Sequence, residues 1–369
     1  MTSFHEAYLV KQRIADKILK IQGVHGIGVG LKDSAKPHRG AALILYTTSA
    51  TASSFMKRAG KNAPLSYINS AARTISGVPV RIVSVERFSR HSKSNDQFMK
   101  RKRPVIAGYS IGTPAGSGTA GLIVSMGRCE RSRYILSNNH VLVNNNSSRA
   151  SPTIQPGGAD GGNVDKNLIG YAERFVKLKK HKVNYIDAAI SKPLRSKLVK
   201  PQYAVFGKVH GYIAAYKVGD RFKKVGRTTG VVTGTVESIH TDIQVYYNDY
   251  GKLGVITFKD QSIIRSDTAV SLAGDSGSVW LTSHGNKAAA VNFAGSDDGK
   301  LSISYPIHWF MQVFGARVAG SRKQSLKRPE RNENKQYVYT QPLPSNIIKQ
   351  LPVRKCRPLK KQIDRQAYR

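Results

Sequence analysis

The chain opens on a stretch with helical spacing. Phe4, Tyr8, Ile14, Ile18 and Ile21 fall close to every third or fourth position, which lays apolar side chains on one helix face and predicts an amphipathic helix over 4–22. Gly23 stands where such a helix stops. Two short apolar runs follow, GIGVGL (26–31) and AALILY (41–46), and GVPVRIVSVERF (77–88) loosely alternates Val78, Val80, Ile82 and Val85. All three read as strands, so residues 1–88 are predicted as a small α/β domain. The glycines of GVHGIGVG (23–30) invite a nucleotide-loop reading. Neither G-x-G-x-x-G nor a Walker A lysine is present, and they are read as strand and turn positions.

Residues 89–104, SRHSKSNDQFMKRKRP, are polar and basic and read as a linker. Beyond it the pattern is short apolar runs separated by Gly, Asn, Asp and Ser: RYILSNN, NYIDAAIS, GVVTGTVESI, GVITFK, GSVWLT and AAAVNFAGS. Helical periodicity returns only at 305–315. Many short strands over 105–318 predict an all-β barrel or sandwich, single or double. The expected fold class is therefore α+β, with the small α/β domain ahead of an all-β part. A length of 369 residues accommodates two such domains.

Charge alters the picture at the C-terminal end. The chain carries 59 Lys plus Arg against 22 Asp plus Glu, a net of +37. Residues 201–300 are nearly neutral, with 11 basic and 9 acidic side chains, whereas 301–369 hold 15 and 3. The segment 319–369 has little periodic hydrophobicity and reads as extended or disordered. It is either an electrostatic arm for nucleic acid or an acidic partner, or a solvated tail with no fixed partner. Two cysteines, Cys129 and Cys356, make no disulfide framework and favour a reducing compartment. No uninterrupted apolar stretch marks a signal peptide or membrane span, so a cytoplasmic location is expected, with oligomerisation left open.

Three segments of the β-rich part carry chemistry together. His140 ends RYILSNNH, Asp187 is a lone carboxylate inside NYIDAAI, and Ser276 lies in GDSGS (274–278). A serine hydroxyl needs a neighbouring base to become a nucleophile. Imidazole serves near pH 7, and a buried carboxylate fixes its tautomer. Flanking glycines let a backbone turn tightly and aim amide N–H groups at one point. The order His, Asp, Ser, at separations of 47 and 89 residues, is that of the chymotrypsin arrangement. Each segment alone reads more simply as a strand end, an odd polar core residue or a tight turn; their order on an all-β background makes the constellation.

With these motifs the chain resembles the trypsin-like serine peptidases. TAGLIV (119–124), ILSNNHVL (135–142), IQPGGADGG (154–162), YIDAAI (185–190), VGRTTGVVTGTV (225–236) and VNFAGS (291–296) are similar to the Narrow Leaf type, as are VHGIGVGLK and ISGVPVRIV nearer the N-terminus. The resemblance implies a chymotrypsin-like double β-barrel, His140 as general base, Asp187 as its orienting carboxylate and Ser276 as nucleophile. It implies an oxyanion hole from the Gly274 and Ser276 N–H groups, Asp275 supporting the turn, and peptide or protein substrates without cofactor or metal. Val141 stands where secreted relatives carry a cysteine. About a hundred residues precede the barrel, so activation through a newly liberated N-terminus is not expected. Val270, six residues before the nucleophile, is the expected floor of the primary pocket and argues for small or apolar side chains; Phe293, Ala294 and Gly295 are its expected wall.

Other residues take plainer readings. Asp160 belongs to a Gly-Asp turn, and Arg227, Thr228 and Thr229 to a strand bend whose polar groups bond locally. Cys129 is a free thiol. His181, His240 and His284 lack ligand spacing, and VYYNDYG (245–251) is a half-buried hairpin. The alternatives to an endopeptidase are a binder of nucleic acid or acidic surfaces, and an inactive peptidase fold used as an interaction module.

Overall fold

The computed structural model describes residues 1–57, 68–69, 74–85, 96–127, 132–247, 250–321 and 332–357. Cys129, residues 89–95 of the basic linker, and residues 322–331 and 358–369 of the tail lie outside these residues. The first helix is Phe4–Ile18, entered through a capping box between Ser3 and Glu6. It ends before Ile21, and Gly23 instead turns the chain into the strand Val24–Leu31. That strand pairs antiparallel with Ala41–Thr47, which runs parallel to Val78–Ser84. Helix and strands share their own apolar core, with Val10, Ile14, Ile18, Ile27, Val29 and Leu43 inside it.

This N-terminal sheet does not stop at its own edge. Val24–Leu31 also pairs with Gly230–Tyr246, so that Gly30 lies opposite Ser238 and Gly26 opposite Ile243. The resulting sheet runs through Arg221–Gly226, Val279–Thr282, Ala288–Gly295, Leu301–Pro306, Val255–Arg265 and Gly230–Tyr246 before reaching the N-terminal strands. Arg221–Gly226 pairs back onto Gly230–Tyr246 through a tight hairpin, closing six strands on themselves. A side chain at Gly30 would press on the Glu237 carbonyl at 2.7 Å, and one at Gly28 would strike Thr241. The glycine-rich run thus serves close strand approach.

A second sheet has the order Ala316–Val318, Leu122–Met126, Arg133–Ser137, Ala189–Pro193, Leu168–Val176, Pro152–Ile154, Ser110–Thr113 and Gly116–Thr119, and Val105–Ala107 pairs parallel with Val199–Tyr203 in a third. The apolar interior of the second sheet, including Leu136, Ile186 and Ile190, joins Phe258, Phe293 and Tyr305 of the first sheet in one continuous core. The basic segment read as a linker is docked from residue 96 onward. Phe98 is buried and meets Tyr109 with ring centroids 5.3 Å apart, because burying an aromatic face outweighs the freedom of a short polar stretch.

The tail corrects an expectation. Over 332–357 it forms the helices Glu333–Val338 and Ser345–Gln350 and the strand Val353–Lys355, which pairs antiparallel with Leu168–Val176. Its sparse apolar residues decide this. Leu343 is buried, Ile347, Ile348 and Leu351 pack on the main core, and Tyr337 stacks by Tyr8 at 4.4 Å. High charge did not prevent packing, because the charged side chains lie on the outer face.

Candidate active site

Two chain-distant segments meet through strand register. Arg133–Ser137 pairs with Ala189–Pro193 so that Ser137 faces Ala189. The residues just beyond that pair, His140 and Asp187, are thereby brought together, with His140 in the one-turn helix Asn139–Leu142. His140 Nδ1 lies 2.5 Å from Asp187 Oδ2. The carboxylate is fully buried and is held from several sides. Its Oδ1 accepts from the Asn139 N–H at 2.6 Å, and its Oδ2 from the Tyr247 hydroxyl at 2.6 Å. A buried charge requires such donors.

Tyr247, in a stretch whose sequence predicts only a half-buried hairpin, belongs to this cluster. The phenol is buried, and its ring stands edge-on to His140 with centroids 5.6 Å apart. Burial, reinforced by the negative Asp187, pushes its pKa well above the ordinary tyrosine value, so it stays a donor through the neutral range. Tyr250 supports the same corner by donating to the Val143 carbonyl at 2.8 Å and to Asn139 Oδ1 at 2.9 Å. The only sequence signal for either was an aromatic cluster, which core packing equally explains.

Ser276 sits on a turn whose two glycines are dictated by geometry. Gly274 has φ +98° and Gly277 φ +92°, a region that side chains disfavour. A Cβ on Gly277 would also collide with Ser137 and the Thr119 carbonyl. The turn is tied to the other sheet by Thr119, whose N–H donates to the Ser276 carbonyl and whose hydroxyl donates to the Gly274 carbonyl, both at 2.8 Å. Asp275 is fully buried and accepts from the N–H groups of Thr228, Thr229 and Leu272 at 2.9–3.0 Å. Lys224 Nζ stands 3.8 Å away, equally buried, and burial lowers its pKa from the ordinary lysine value despite that carboxylate.

His140, Ser276 and Gly274 line one cleft of about 570 Å³. Among the described residues, no hydrogen bond joins Ser276 to His140; Ser276 Oγ donates instead to the Phe293 carbonyl at 3.2 Å. Free enzymes often hold such contacts long until substrate arrives. The N–H groups of Gly274 and Ser276 have no internal acceptor among the described residues. Phe293, Ala294 and Gly295 line the cleft, and Val270, expected as the pocket floor, does not. It is fully buried, in the apolar cluster of Tyr216 and Trp280, and its N–H is bound by the Gly299 carbonyl at 2.7 Å. An apolar side chain at this bend gains more from the barrel core than from the slot. Ser271 lines the cleft instead, packed so closely on Gly295 that a Cβ there would lie 2.6–2.7 Å from the Ser271 carbonyl, Oγ and Cβ. Among the described residues, no carboxylate lines the cleft.

Two further readings change. Asp160 does lie in a turn, Gly158–Asp160, but it also forms an ion pair with Arg227. The Arg227 guanidinium thus reaches the other sheet, in addition to its local bond to Thr228.

No family model and no curated protein matches the chain. Among solved structures it is similar to a glutamic-acid-specific serine protease, at 21% identity over 58% of this chain and 100% of that one, with a TM-score of 0.41. Thermobifida fusca Protease A matches at 20% identity over 58% and 99%, TM-score 0.42, and Cellulomonas bogoriensis chymotrypsin at 20% over 58% and 97%, TM-score 0.39. In fold the chain is α+β: a small α/β part whose sheet runs on into a closed set of six strands, with a second sheet packed on it, the α+β class its sequence predicts.

Proposed function

We propose that the chain is a serine endopeptidase of the Narrow Leaf type, hydrolysing peptide bonds through an acyl-enzyme. One observation carries the reading: a histidine bound to a buried carboxylate at 2.5 Å lines the same cleft as a serine flanked by two unpaired N–H groups. Ser276 Oγ attacks the scissile carbonyl carbon while its proton passes to His140 Nε2, which requires the hydroxyl to leave the Phe293 carbonyl. Asp187 holds Nδ1–H and stabilises the imidazolium. The carbonyl oxygen, now negative, accepts from the Gly274 and Ser276 N–H groups. His140 then protonates the leaving amine, and water repeats the sequence to free the acid and Ser276. A slot lined by Ser271 and Gly295, both small and uncharged, favours small apolar side chains before the cleaved bond. The paucity of cysteines fits a reducing, cytoplasmic setting.

The test is reaction with a fluorophosphonate probe, read by intact mass. One adduct is expected on the wild type and none on Ser276→Ala. A folded wild type that takes up no probe overturns the reading, as does an adduct that persists on Ser276→Ala.

A second reading, compatible with the first, has one observation behind it. The strand Val353–Lys355 pairs with Leu168–Val176 and the Lys177 N–H donates to the Pro352 carbonyl, so exposed Lys177, Arg354 and Lys355 lie along one basic sheet edge. Such an edge suits a nucleic-acid strand or an acidic protein surface. Fluorescence anisotropy with a single-stranded oligonucleotide should show affinity that falls steeply with salt, with a shallower slope after Lys177→Glu and Lys355→Glu. A slope unaffected by these changes removes this edge from consideration.

A further inference from the structure

The sequence reads 227–229 as a bend that bonds only to itself. Its position in the folded chain is different. The Arg221–Gly226 and Gly230–Tyr246 hairpin presents this turn directly to the loop 272–275 that precedes Ser276. Thr228 is buried and makes three bonds there. Its N–H donates to Asp275 Oδ1 at 2.9 Å, its hydroxyl donates to the Ala273 carbonyl at 2.6 Å, and the same oxygen accepts from Arg227 Nη1 at 2.9 Å.

We infer that Thr228 is the positioning residue of the oxyanion hole, and that the turn 224–229 is a brace built into the chain for that purpose. The inference rests on the peptidase reading. A trans peptide is planar, with its C=O and N–H pointing in opposite directions. Ala273 C=O and Gly274 N–H belong to one such peptide. Thr228 binds the carbonyl on the side of the hairpin, which directs the Gly274 N–H towards the cleft, where no internal acceptor takes it among the described residues. Rotation of that peptide would remove the oxyanion donor, and it would also leave a buried hydroxyl without its acceptor.

The brace is itself anchored at both ends. Arg227 Nε donates to Asp160 Oδ2 at 2.9 Å, and that oxygen also accepts from the Ser110 hydroxyl at 2.6 Å, in the other sheet. The Arg227 N–H donates to Thr119 Oγ1 at 3.0 Å, the same hydroxyl that holds the Gly274 carbonyl. On the opposite side Asp275 receives Thr228, Thr229 and Leu272, with Lys224 close by. The loop carrying the donors is thus held in place by groups of this chain.

Thr228→Val keeps the shape and the N–H of residue 228 and deletes only the hydroxyl. The assay is the rate of inactivation by a fluorophosphonate. In that reaction the bond from Ser276 Oγ to phosphorus forms, fluoride leaves with the P–F electron pair, the hydroxyl proton passes to His140, and the phosphoryl oxygen occupies the oxyanion hole. Loss of an oxyanion donor lowers turnover about 10²–10³-fold. A donor left in place but no longer oriented should lower the maximal inactivation rate about 10-fold to 100-fold. The half-saturating probe concentration should stay within about twofold and Thr228→Ser should recover most of the rate, a pattern that a general loss of structure does not produce. If Thr228→Val does not fold, Thr228→Cys, with a weak donor of similar size, takes its place. Wild-type reactivity in these variants overturns the brace while leaving the peptidase reading intact. A wild type that does not react at all overturns the peptidase reading, and the brace with it.

Discussion

Replacing Tyr247 by Phe removes one oxygen from the most buried part of the site. That hydroxyl is one of two donors to Asp187 Oδ2, the other being His140 Nδ1. A hydrogen bond to a charged group contributes about 1.5–3 kcal/mol. Part of this is offset because the phenol no longer has to shed its own water, so a net loss of about 1–2 kcal/mol is expected. For a chain of this size that lowers Tm by about 1–3 °C. Asp187 and its histidine remain, so the loss of kcat/KM should be within about tenfold, far from the roughly 10⁴ that follows when the carboxylate itself is made neutral. The pH dependence has a definite sign. The folded pKa of Tyr247 lies well above the ordinary value, so below about pH 10 the phenol is protonated in both states and its contribution is complete. As pH rises past that value the unfolded chain releases the proton first. The native state then binds more protons, and the contribution falls by about 1.4 kcal/mol per unit. The stability difference between wild type and Tyr247→Phe should therefore be constant from pH 7 to 9 and shrink above pH 10. Urea unfolding across this range is the assay. A variant as stable as wild type at pH 8, or a difference that widens above pH 10, would refute the reasoning.

Gly277→Ala places a methyl against Ser137 and the Thr119 carbonyl at a positive φ; a loss of about 3 kcal/mol or more is expected in urea unfolding, together with loss of probe labelling. Lys11→Met leaves Asp242, 2.6 Å from the ammonium and buried with it, without its counter-charge. A cost of about 3–5 kcal/mol is expected, and hydrogen exchange should show the helix Phe4–Ile18 losing protection; unchanged protection counts against a role for this pair in docking the helix. A peptide library should be cut after small apolar residues, with kcat/KM at least about tenfold above that after Lys or Arg. Preferred cleavage after basic residues would show that the slot is not the one lined by Ser271 and Gly295.

Much of the architecture was legible along the chain because it depends on local rules. The three-to-four spacing of Tyr8, Ile14 and Ile18 yields a helix, and short apolar runs between turn residues yield strands, wherever they end up in space. The serine turn is also local: GDSGS needs its glycines because backbone there adopts φ near +95°. His140 and Asp187 could be proposed as partners because residue type, order and context restrict what such a pair does.

What tertiary structure decided are relations between distant segments that no period records. Tyr247 reaches Asp187 across 60 residues, and Thr228 reaches Ala273 across 45. Both residue types are at home in an ordinary strand or turn, so nothing local marks them. Val270 illustrates the converse: its sequence offset from Ser276 pointed to the slot, yet the bend at Gly299 turns it into the core. The N-terminal strand runs onto Gly230–Tyr246, and the basic tail folds back onto Leu168–Val176. Each outcome follows from burying a few apolar side chains and pairing a free strand edge. The sequence by itself determined which segments are helix, strand and turn and which residue types bear chemistry. Only the folded chain determined which of them meet, because contact energies depend on neighbours that lie far away along the polymer.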